Sequence, residues 1–517
     1  MDKFIQRFSD EVIGTLSGYD RLLIHGNLRR LCYPIGMKDY LWEKEILLKD
    51  FGDFAENVTK GLNDSVRIYA DKKKRPIIHL DSIKINKEAV ALKIAREDKI
   101  SQGLIAILSC VESCRSYVVQ ASKERKEINL KMVERKCKHF YHYMFHPEFG
   151  FMYARLQTWL PFKIEIYLNG REWLSRQMDR CGMKYRRLDN CFHWIDDFGK
   201  AQNLMNRQLK INWPKKLTAF VSELNPIHEK IFEKYSINYY WSIAQSEWAT
   251  DISFKDKKSL AQIYPSLILH GITNFGSQDV MRFLSKKLTG HFEGELTSDF
   301  KVRSEGVRIK HRVGTNSIKL YDKFGLLLRN ETTINDARML KTYRPLENKP
   351  HEGPVRTYLR VGIADIVRRS EICQRANEKY LNALAVVDTN STFSTFLEKV
   401  SKRVLYNQTT VRGLHPWEKT DFQLLRAVSR GEFAINGFRN RDIQQIFFNT
   451  TTNIQKEKRS RSSKITRLLR ILRAHGIIRK IPHSYRYTLT SFGRDITNAI
   501  LWTQTLTLKK LQEVTAA

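Results

Sequence analysis

The sequence predicts an α+β protein of several domains, in which central antiparallel sheets have flanking helices and the C-terminal part forms a module of its own. The length of 517 residues corresponds to about three or four domains. Hydrophobic residues make up 42% and aromatic residues 11% of the chain, which is enough for several packed cores. Period-two alternation dominates the middle of the chain, and period 3.6 dominates around it. We therefore expect an α+β region at 1–130, a sheet core at 131–345, a helical connector at 355–400 and a C-terminal domain at 412–517.

The N-terminal region and the boundaries carry fewer signals. A strand is expected at 77–80 and a helix at 87–96. The segment 343–354 contains several prolines, and 388–395 is rich in Thr, Ser and Asn. Both compositions are typical of loops that separate domains.

Aromatic residues mark an expected hairpin and third strand at 139–145, 152–159 and 163–168. Rings such as Tyr141, Tyr153 and Trp159, interleaved with Arg155, would be able to stack on bases if they were exposed. The alternative is that the rings belong to a buried sheet face, which has the same pattern.

Cys110, Cys114, Cys137 and His139 are candidate ligands of a structural Zn²⁺. Thiolate and imidazole are the ligands of closed tetrahedral zinc sites, and alternation puts Cys137 and His139 on one face of a strand. The spacing is not that of a standard zinc knuckle. The alternative is that the cysteines are small buried apolar residues.

A second sheet carries the candidate catalytic residues. In the strand expected at 239–254, Glu247 and Asp251 share a face. A meander over 307–313, 317–323 and 327–335 adds Lys319, Tyr321 and Glu331. If the polar faces coincide, carboxylates for Mg²⁺ and cations for the developing phosphate charge form a metal-assisted phosphodiester site. Tyr321 is alternatively a nucleophile activated by a nearby cation, or the whole set is one solvated sheet face.

The spacing of apolar residues over 463–476 predicts an amphipathic helix that ends at Gly476. The apolar stripe consists of Ile465, Leu468, Leu469 and Leu472. The neighbouring cationic stripe consists of Lys464, Arg467, Arg470 and Arg473. A helix with one core-facing side and one basic side is typical of recognition helices in nucleic-acid grooves.

The flanking segments complete a winged-helix pattern. Thr420 is expected to cap a helix that Gly431 closes, and Asn440 to cap another through Phe448. A basic loop at 456–461, with Arg459 and Arg461, is placed to meet phosphates. Two short strands at 477–481 and 485–489, joined by a turn at 482–484, form the wing, whose cations are Arg479, Lys480 and Arg486. The alternative is a winged helix that makes protein contacts only.

The charge of the whole chain favours a polyanionic partner. Lys and Arg number 89 against 55 Asp and Glu, a formal net charge of +34. Nucleic acid, DNA or RNA, is the expected partner. No long apolar run, lipidation motif or secretory signal is apparent, so no membrane association and a cytoplasmic location are expected. Since many winged-helix proteins are dimers, a homodimer is one expected state.

Two parts of the chain resemble known families. Residues 415–500 resemble the winged-helix domains of bacterial DNA-binding proteins, notably the MarR-like regulators, which implies nucleic-acid binding. The pattern Lys319-x-Tyr321-x-Lys323 followed by Arg329-x-Glu331 is similar to a strand pair of phage and plasmid replication initiators. The whole chain, with segments such as 149–153 and 168–174, resembles a large bacterial family of hypothetical mobile-element-like proteins, from which no activity follows.

Three functional interpretations therefore stand side by side. The first is a mobile-element protein that binds nucleic acid through its winged helix and cuts or joins strands at the central sheet. The second is a binding protein without chemistry, either a replication initiator or a transcriptional regulator. The third is an RNA-binding partner of a structured RNA, which requires exposed rings at Tyr141, Tyr153 and Trp159.

Overall fold

The computed structural model describes two compact units. Residues 1–122, 127–232, 237–273, 275, 277–284, 296–303, 306–345, 351, 353–385, 393–430, 433, 437–448, 454–482 and 484–505 are described. The sheet unit comprises Ser9–Lys257 and Thr315–Asn377, and the C-terminal unit comprises Met1–Phe8, Lys258–Gly314 and Glu378–Ala517. Residues 346–350 and 352 of the expected boundary loop at 343–354, residues 388–392 of the loop at 388–395, and Gly431 and His483 lie outside the described residues.

The helices of the described ranges follow in chain order. They are α1 (Asp2–Arg7), α2 (Pro34–Glu43), α3 (Phe51–Lys73), α4 (Lys87–Glu97), α5 (Gly170–Arg180), α6 (Phe198–Arg207), α7 (Trp213–Leu224), α8 (Ile227–Phe232), α9 (Lys257–Thr273), α10 (Ser277–Phe283), α11 (Ile366–Leu384), α12 (Phe393–Ser401), α13 (Lys419–Val428), α14 (Asn440–Phe448), α15 (Gln455–Ala474) and α16 (Ser491–Thr505). None of these described helices combines the length and the apolar composition that crossing a bilayer requires.

The strands follow in the same way. They are β1 (Val12–Asn27), β2 (Ile77–His79), β3 (Gly103–Ser122), β4 (Glu127–His146), β5 (Gly150–Gln157), β6 (Ile164–Asn169), β7 (Tyr185–Leu188), β8 (Cys191–Ile195), β9 (Tyr240–Phe254), β10 (Leu296–Arg303), β11 (Gly306–Val313), β12 (Asn316–Lys323), β13 (Leu327–Ile334), β14 (Lys341–Arg344), β15 (Val355–Tyr358), β16 (Val404–Tyr406), β17 (Thr409–Val411), β18 (Ile478–Lys480) and β19 (Tyr487–Leu489).

The sheet unit is built on one large mixed sheet with the strand order β12-β13-β9-β1-β6-β5-β4-β3-β2. The α+β class is confirmed, but β2 runs parallel to β3, so the sheet is not purely antiparallel. The N-terminal strand β1 lies between β9 and β6, and the expected boundary at residue 130 falls inside β4. The N-terminal region and the two expected sheets therefore share one sheet, and residues of all three belong to the same large buried cluster.

A β-bulge interrupts β1 where it passes the centre of the sheet. Tyr19 pairs with Trp248 and Arg21 pairs with the adjacent residue Glu247, so that Asp20 is the extra residue. A bulge bends the strand and changes the direction in which a side chain points. Here it redirects the side chain of Asp20 within the sheet.

Helix α5 packs tightly against this bulge. The Asn169 side chain accepts hydrogen bonds from the backbone N–H groups of Arg171 and Glu172, at 2.9 and 3.1 Å, and so caps the helix. At Gly170 an added Cβ would lie 1.9 Å from the carbonyl oxygen of Tyr19. The absence of a side chain at this position therefore allows the close approach of α5 to β1.

The C-terminal unit ends in three helices, a hairpin and a further helix. Helices α13, α14 and α15 share a core with the β18–β19 hairpin and α16. The apolar stripe expected for α15 is confirmed, because all four of its residues are buried. Gly476 follows α15 with a positive φ of 69°, as expected for a residue that ends a helix.

Two details of this region differ from the sequence prediction. Residues 456–461 form the first turns of α15 rather than a loop, and an ion pair between Arg461 and Glu457 at 2.5 Å joins successive turns. Helix α13 begins at Lys419 after Glu418, so Thr420 lies inside its first turn and does not cap it.

Candidate functional site

Three carboxylates meet at the centre of the sheet unit. Asp20 in β1, Glu247 in β9 and Glu331 in β13 each offer an oxygen, and these atoms lie within 4.8 Å of one another. The exposed fraction is 5% for Asp20, 9% for Glu247 and 2% for Glu331. We refer to these three residues as the carboxylate cluster.

The strand register brings these side chains to one face. Glu247 lies opposite Thr333, and Ala249 lies opposite Glu331, in the antiparallel pair of β9 and β13. The polar faces of the two strands therefore coincide, as the sequence analysis assumed. The bulge in β1 adds Asp20, which the sequence analysis missed.

Cations surround the carboxylate cluster. The Lys319 Nζ lies 2.5 Å from Glu331 Oε1 and 3.7 Å from Glu247 Oε1. The Arg21 Nε lies 3.8 Å from Glu247 Oε2, and the Arg21 side chain remains 47% exposed. The cluster therefore has a half-buried lysine on one side and a partly solvated arginine on the other.

The three carboxylates do not have equivalent pKa values. Burial raises the pKa of Glu247, and the nearby charge of Glu331 raises it further. Burial also raises the pKa of Asp20, despite Arg329 and Arg171. Burial acts in the same direction on Glu331, but Lys319 outweighs it and the pKa of Glu331 is lowered. Repulsion between Glu247 and Glu331 is what a bound cation would relieve.

Asp251 does not belong to the carboxylate cluster, although the sequence analysis grouped it there. Arg329 donates from Nε to Asp251 Oδ1 at 2.6 Å and from Nη2 to Oδ2 at 2.9 Å. The Arg171 Nη2 lies 2.9 Å from Asp251 Oδ2. Burial would raise the pKa of Asp251, but the two guanidinium groups lower it. Asp251 is thus a structural counterion of these two arginines, and it is not one of the three carboxylates whose oxygens lie within 4.8 Å of one another.

Tyr321 is not an activated nucleophile in this arrangement. Its hydroxyl donates to Glu331 Oε2 at 3.0 Å. Burial and the charge of Glu331 hold its pKa well above the ordinary value, despite Arg329. Arg329 acts to lower this pKa, as expected of a nearby cation, but burial and Glu331 outweigh it, so the phenol does not have the net lowered pKa that the nucleophile alternative requires.

The burial of these residues excludes the interpretation as a solvated sheet face, because every residue of β13 is buried. Carboxylate oxygens are the ligands that Mg²⁺ prefers, and their separations are compatible with one ion. Lys319 and Arg21 would then face the charge that develops on a phosphate. The donor set therefore fits a hard divalent cation.

The basic side of α15 forms a second candidate site. Lys464, Arg467 and Arg470 are exposed, and Arg473 is half-buried. Among ion pairs between described residues, none involves Lys464 or Arg467. Arg470 donates to the Thr409 hydroxyl. Three cations thus lie on the surface side of a helix whose other side is core.

The other basic residues expected to bind nucleic acid fall into two groups, one exposed and one held by contacts within the protein. Arg459 and Lys480 are exposed. Arg479 lies 3.5 Å from Asp279, and Arg486 donates to the carbonyl oxygen of Gly437 at 3.2 Å. Arg479 and Arg486, like Arg461, therefore have structural partners within the C-terminal unit.

The aromatic rings of β4 and β5 are largely part of a core. Tyr141 is 8% exposed and Tyr143 is 3% exposed, and both belong to a cluster with residues of α4. Tyr153 packs against Tyr141 with ring centroids 5.8 Å apart. Trp159 is half-buried, and the guanidinium carbon of Arg135 lies over its ring, 4.6 Å from the ring centroid. The exposed ring at Tyr141 that the RNA-partner interpretation requires is not found.

Three of the four candidate zinc ligands come together on β3 and β4. Cys114, Cys137 and His139 each offer an atom within 4.8 Å of the others, and Cys110 is outside this group. The Sγ atoms of Cys114 and Cys137 are 2.7 Å apart. Cys110 lies opposite His139 in the strand register.

Comparisons with known proteins identify no relative of this chain. No protein-family model matches it, and neither a curated protein nor a solved structure gives a significant match.

Proposed function

We propose that this chain is a nucleic-acid-binding protein that holds its ligand with α15. We interpret α13, α14 and α15 with the β18–β19 hairpin as a winged helix, and the resemblance to mobile-element proteins suits this assignment. The observation that carries the proposal is the pairing of a buried apolar stripe on α15 with exposed Lys464 and Arg467 on its other side.

Electrostatics supports a nucleic acid over a protein as the partner. The net charge of +34 gives long-range attraction to any polyanion. Each phosphate contact releases condensed counterions, so affinity for duplex DNA falls with salt by a slope of about 0.9 per contact. A protein partner of ordinary charge would not give such a steep dependence.

The test is a fluorescence-anisotropy titration of the full chain against random-sequence duplex DNA, single-stranded DNA and a structured RNA at several salt concentrations. The variant Lys464→Gln/Arg467→Gln is compared with Lys60→Gln/Arg96→Gln, which removes the same charge from exposed positions on α3 and α4. We expect the first variant to lower the salt slope for duplex DNA by about 1 per residue removed. Equal losses in both variants would contradict a specific role of α15.

We propose as a second function that the carboxylate cluster binds Mg²⁺ and supports cleavage of phosphodiester bonds. The observation that favours it is the convergence of Asp20, Glu247 and Glu331 within 4.8 Å. A divalent cation would polarise a phosphate oxygen, while Arg21 and Lys319 would hold the phosphate in position.

This second proposal is tested first by binding and then by cleavage. Isothermal titration with Mg²⁺ or Mn²⁺ should give one site in the wild-type protein and none in Glu247→Gln or Asp20→Asn, with the exposed Glu56→Gln as the control. Incubation with supercoiled and single-stranded DNA should give metal-dependent cuts that the same variants lose while DNA binding persists. Unchanged Mn²⁺ binding in Glu247→Gln would overturn the assignment.

A further inference from the structure

One face of the β3–β4 pair carries two cysteines and a histidine that could bind a metal ion. Cys114, Cys137 and His139 offer three ligand atoms within 4.8 Å of one another. Each cysteine is 9% exposed, and the histidine is 2% exposed. Lys87, the first residue of α4, lies 3.1 Å from Glu112, which is directly opposite Cys137, so the helix begins near this group.

We propose that Cys114, Cys137 and His139 bind one Zn²⁺ ion, with the fourth coordination position left to water or to a group from a partner. Thiolate sulfur and imidazole nitrogen are the ligands that select zinc over Mg²⁺. With Zn–S distances of about 2.3 Å, tetrahedral thiolates lie nearly 4 Å apart. The sulfurs, now 2.7 Å apart, therefore have to separate by about 1 Å through side-chain rotation.

A backbone carbonyl group orients the ring of His139 as a ligand. Its Nδ1 lies 3.1 Å from the carbonyl oxygen of Cys137, and because a carbonyl only accepts, Nδ1 carries the proton. Nε2 then keeps its lone pair, which is the arrangement that orients metal-binding histidines.

Charge balance also favours an ion at this position. Two thiolates neutralise one Zn²⁺, and the resulting site adds no net charge to a buried region. Arg155 is already paired, because its Nη2 donates to Glu112 at 2.7 Å. The paired charges of Arg155 and Glu112 therefore leave no unbalanced charge that would oppose a neutral site made of one Zn²⁺, two thiolates and one imidazole.

The strand register argues for a bridging ion rather than a direct sulfur–sulfur bond. Cys114 lies opposite Arg135, and Cys137 lies opposite Glu112, so the two cysteines are diagonal neighbours. Diagonal Cα atoms of an antiparallel pair are about 7–8 Å apart, which is above the usual Cα separation of a disulfide. A direct bond would therefore require the backbone to move, whereas binding an ion requires only rotation of the side chains.

The first measurement uses the wild-type protein, purified under reducing conditions, demetallated with a chelator and titrated with Co²⁺ as a spectroscopic probe. We expect tetrahedral d–d absorption and a thiolate-to-cobalt charge-transfer band that saturate at one equivalent and disappear when Zn²⁺ is added. Zn²⁺ should also protect Cys114 and Cys137 from alkylation, read by mass spectrometry. The exposed Cys181 should react equally with and without zinc.

Variants then assign the ligands. Cys114→Ser, Cys137→Ser and His139→Asn should each weaken Zn²⁺ binding by more than about 100-fold, since even second-shell changes cost 10–100-fold. Cys110→Ser, on the same strand face and opposite His139, should bind as the wild type does. Absence of the cobalt spectrum, a Cys114–Cys137 disulfide in freshly isolated protein, or an equal loss in Cys110→Ser would overturn the proposal.

Discussion

Arg329 of β13 lies directly opposite Asp251 of β9 and donates two hydrogen bonds, of 2.6 and 2.9 Å, to its carboxylate. The same guanidinium contacts Asp20, from Nη1 to Oδ2 at 3.3 Å. Arg329 is 0% exposed. This paired contact separates Asp251 from the carboxylate cluster and fixes Asp20 beside it.

Arg329→Gln should destabilise the sheet unit by about 3–5 kcal/mol, because it leaves buried carboxylates without their main counterion. Arg338→Gln is the matched control, since Arg338 pairs with Asp336 at 83% exposure and should cost at most about 1 kcal/mol. Urea unfolding gives the global loss, and hydrogen exchange in peptides of β9 and β13 locates it. Similar losses for both variants would show that the Arg329 pair contributes no more than a surface pair.

Lys319→Met should destabilise the protein in the presence of a chelator and recover with millimolar Mg²⁺. Without Lys319, Glu247 and Glu331 repel each other, and a divalent cation replaces the missing charge. Lys323→Met is the control on the same strand, because Lys323 is buried beside Asp189 and Asn190 and does not contact the carboxylate cluster. Thermal melts with and without Mg²⁺ measure the difference. If Mg²⁺ rescues both variants equally, or neither, the cluster is only a structural ion network.

Local patterns predicted much of the fold. The meander strands β11, β12 and β13 begin and end within one residue of their expected bounds, because alternation and turn residues are encoded within each segment. The apolar stripe of α15 was predicted for the same reason, since a helical period needs only neighbouring residues.

Non-local features were not predictable in this way. The position of β1 between β9 and β6 depends on pairing with strands more than a hundred residues away. A bulge breaks the period-two rule, so Asp20 could not be assigned to the face that carries Glu247. The charge of the segment 456–461, considered alone, indicates a loop. The segment contains no Gly or Pro, and Lys, Arg and Glu are good helix formers, which explains why it continues α15.

Gly170→Ala should destabilise the sheet unit by about 1–3 kcal/mol or more, because the new Cβ would meet the Tyr19 carbonyl at 1.9 Å. The strain falls on the bulge that carries Asp20, so Mn²⁺ affinity should decline as well. Gly52→Ala is the contrast, since a Cβ there meets nothing within 4 Å and should raise stability by up to about 1 kcal/mol. Thermal melts and Mn²⁺ titrations of both variants provide the comparison. A neutral Gly170→Ala variant would contradict the tight packing of α5 on β1.

Asp421 should make the C-terminal unit sensitive to acid. Its buried carboxylate accepts from Arg412 Nη1 and Nη2, both at 2.7 Å, and from the backbone N–H of His415 at 2.9 Å. Burial would raise the pKa of Asp421, but these donors outweigh it and the pKa is lowered.

A lowered pKa means that the carboxylate contributes stability above its unfolded-state pKa of about 3.9. This contribution is lost as the pH falls through the folded-state value. Asp421→Asn should therefore be much less stable than the wild type at pH 7, and the difference should shrink below about pH 4. The control is Glu398→Gln, which removes an exposed partner of Lys402 and should be as stable as the wild type at every pH. If the difference in stability between the wild type and Asp421→Asn stays constant down to pH 2, the ionisation of Asp421 does not contribute to stability as proposed.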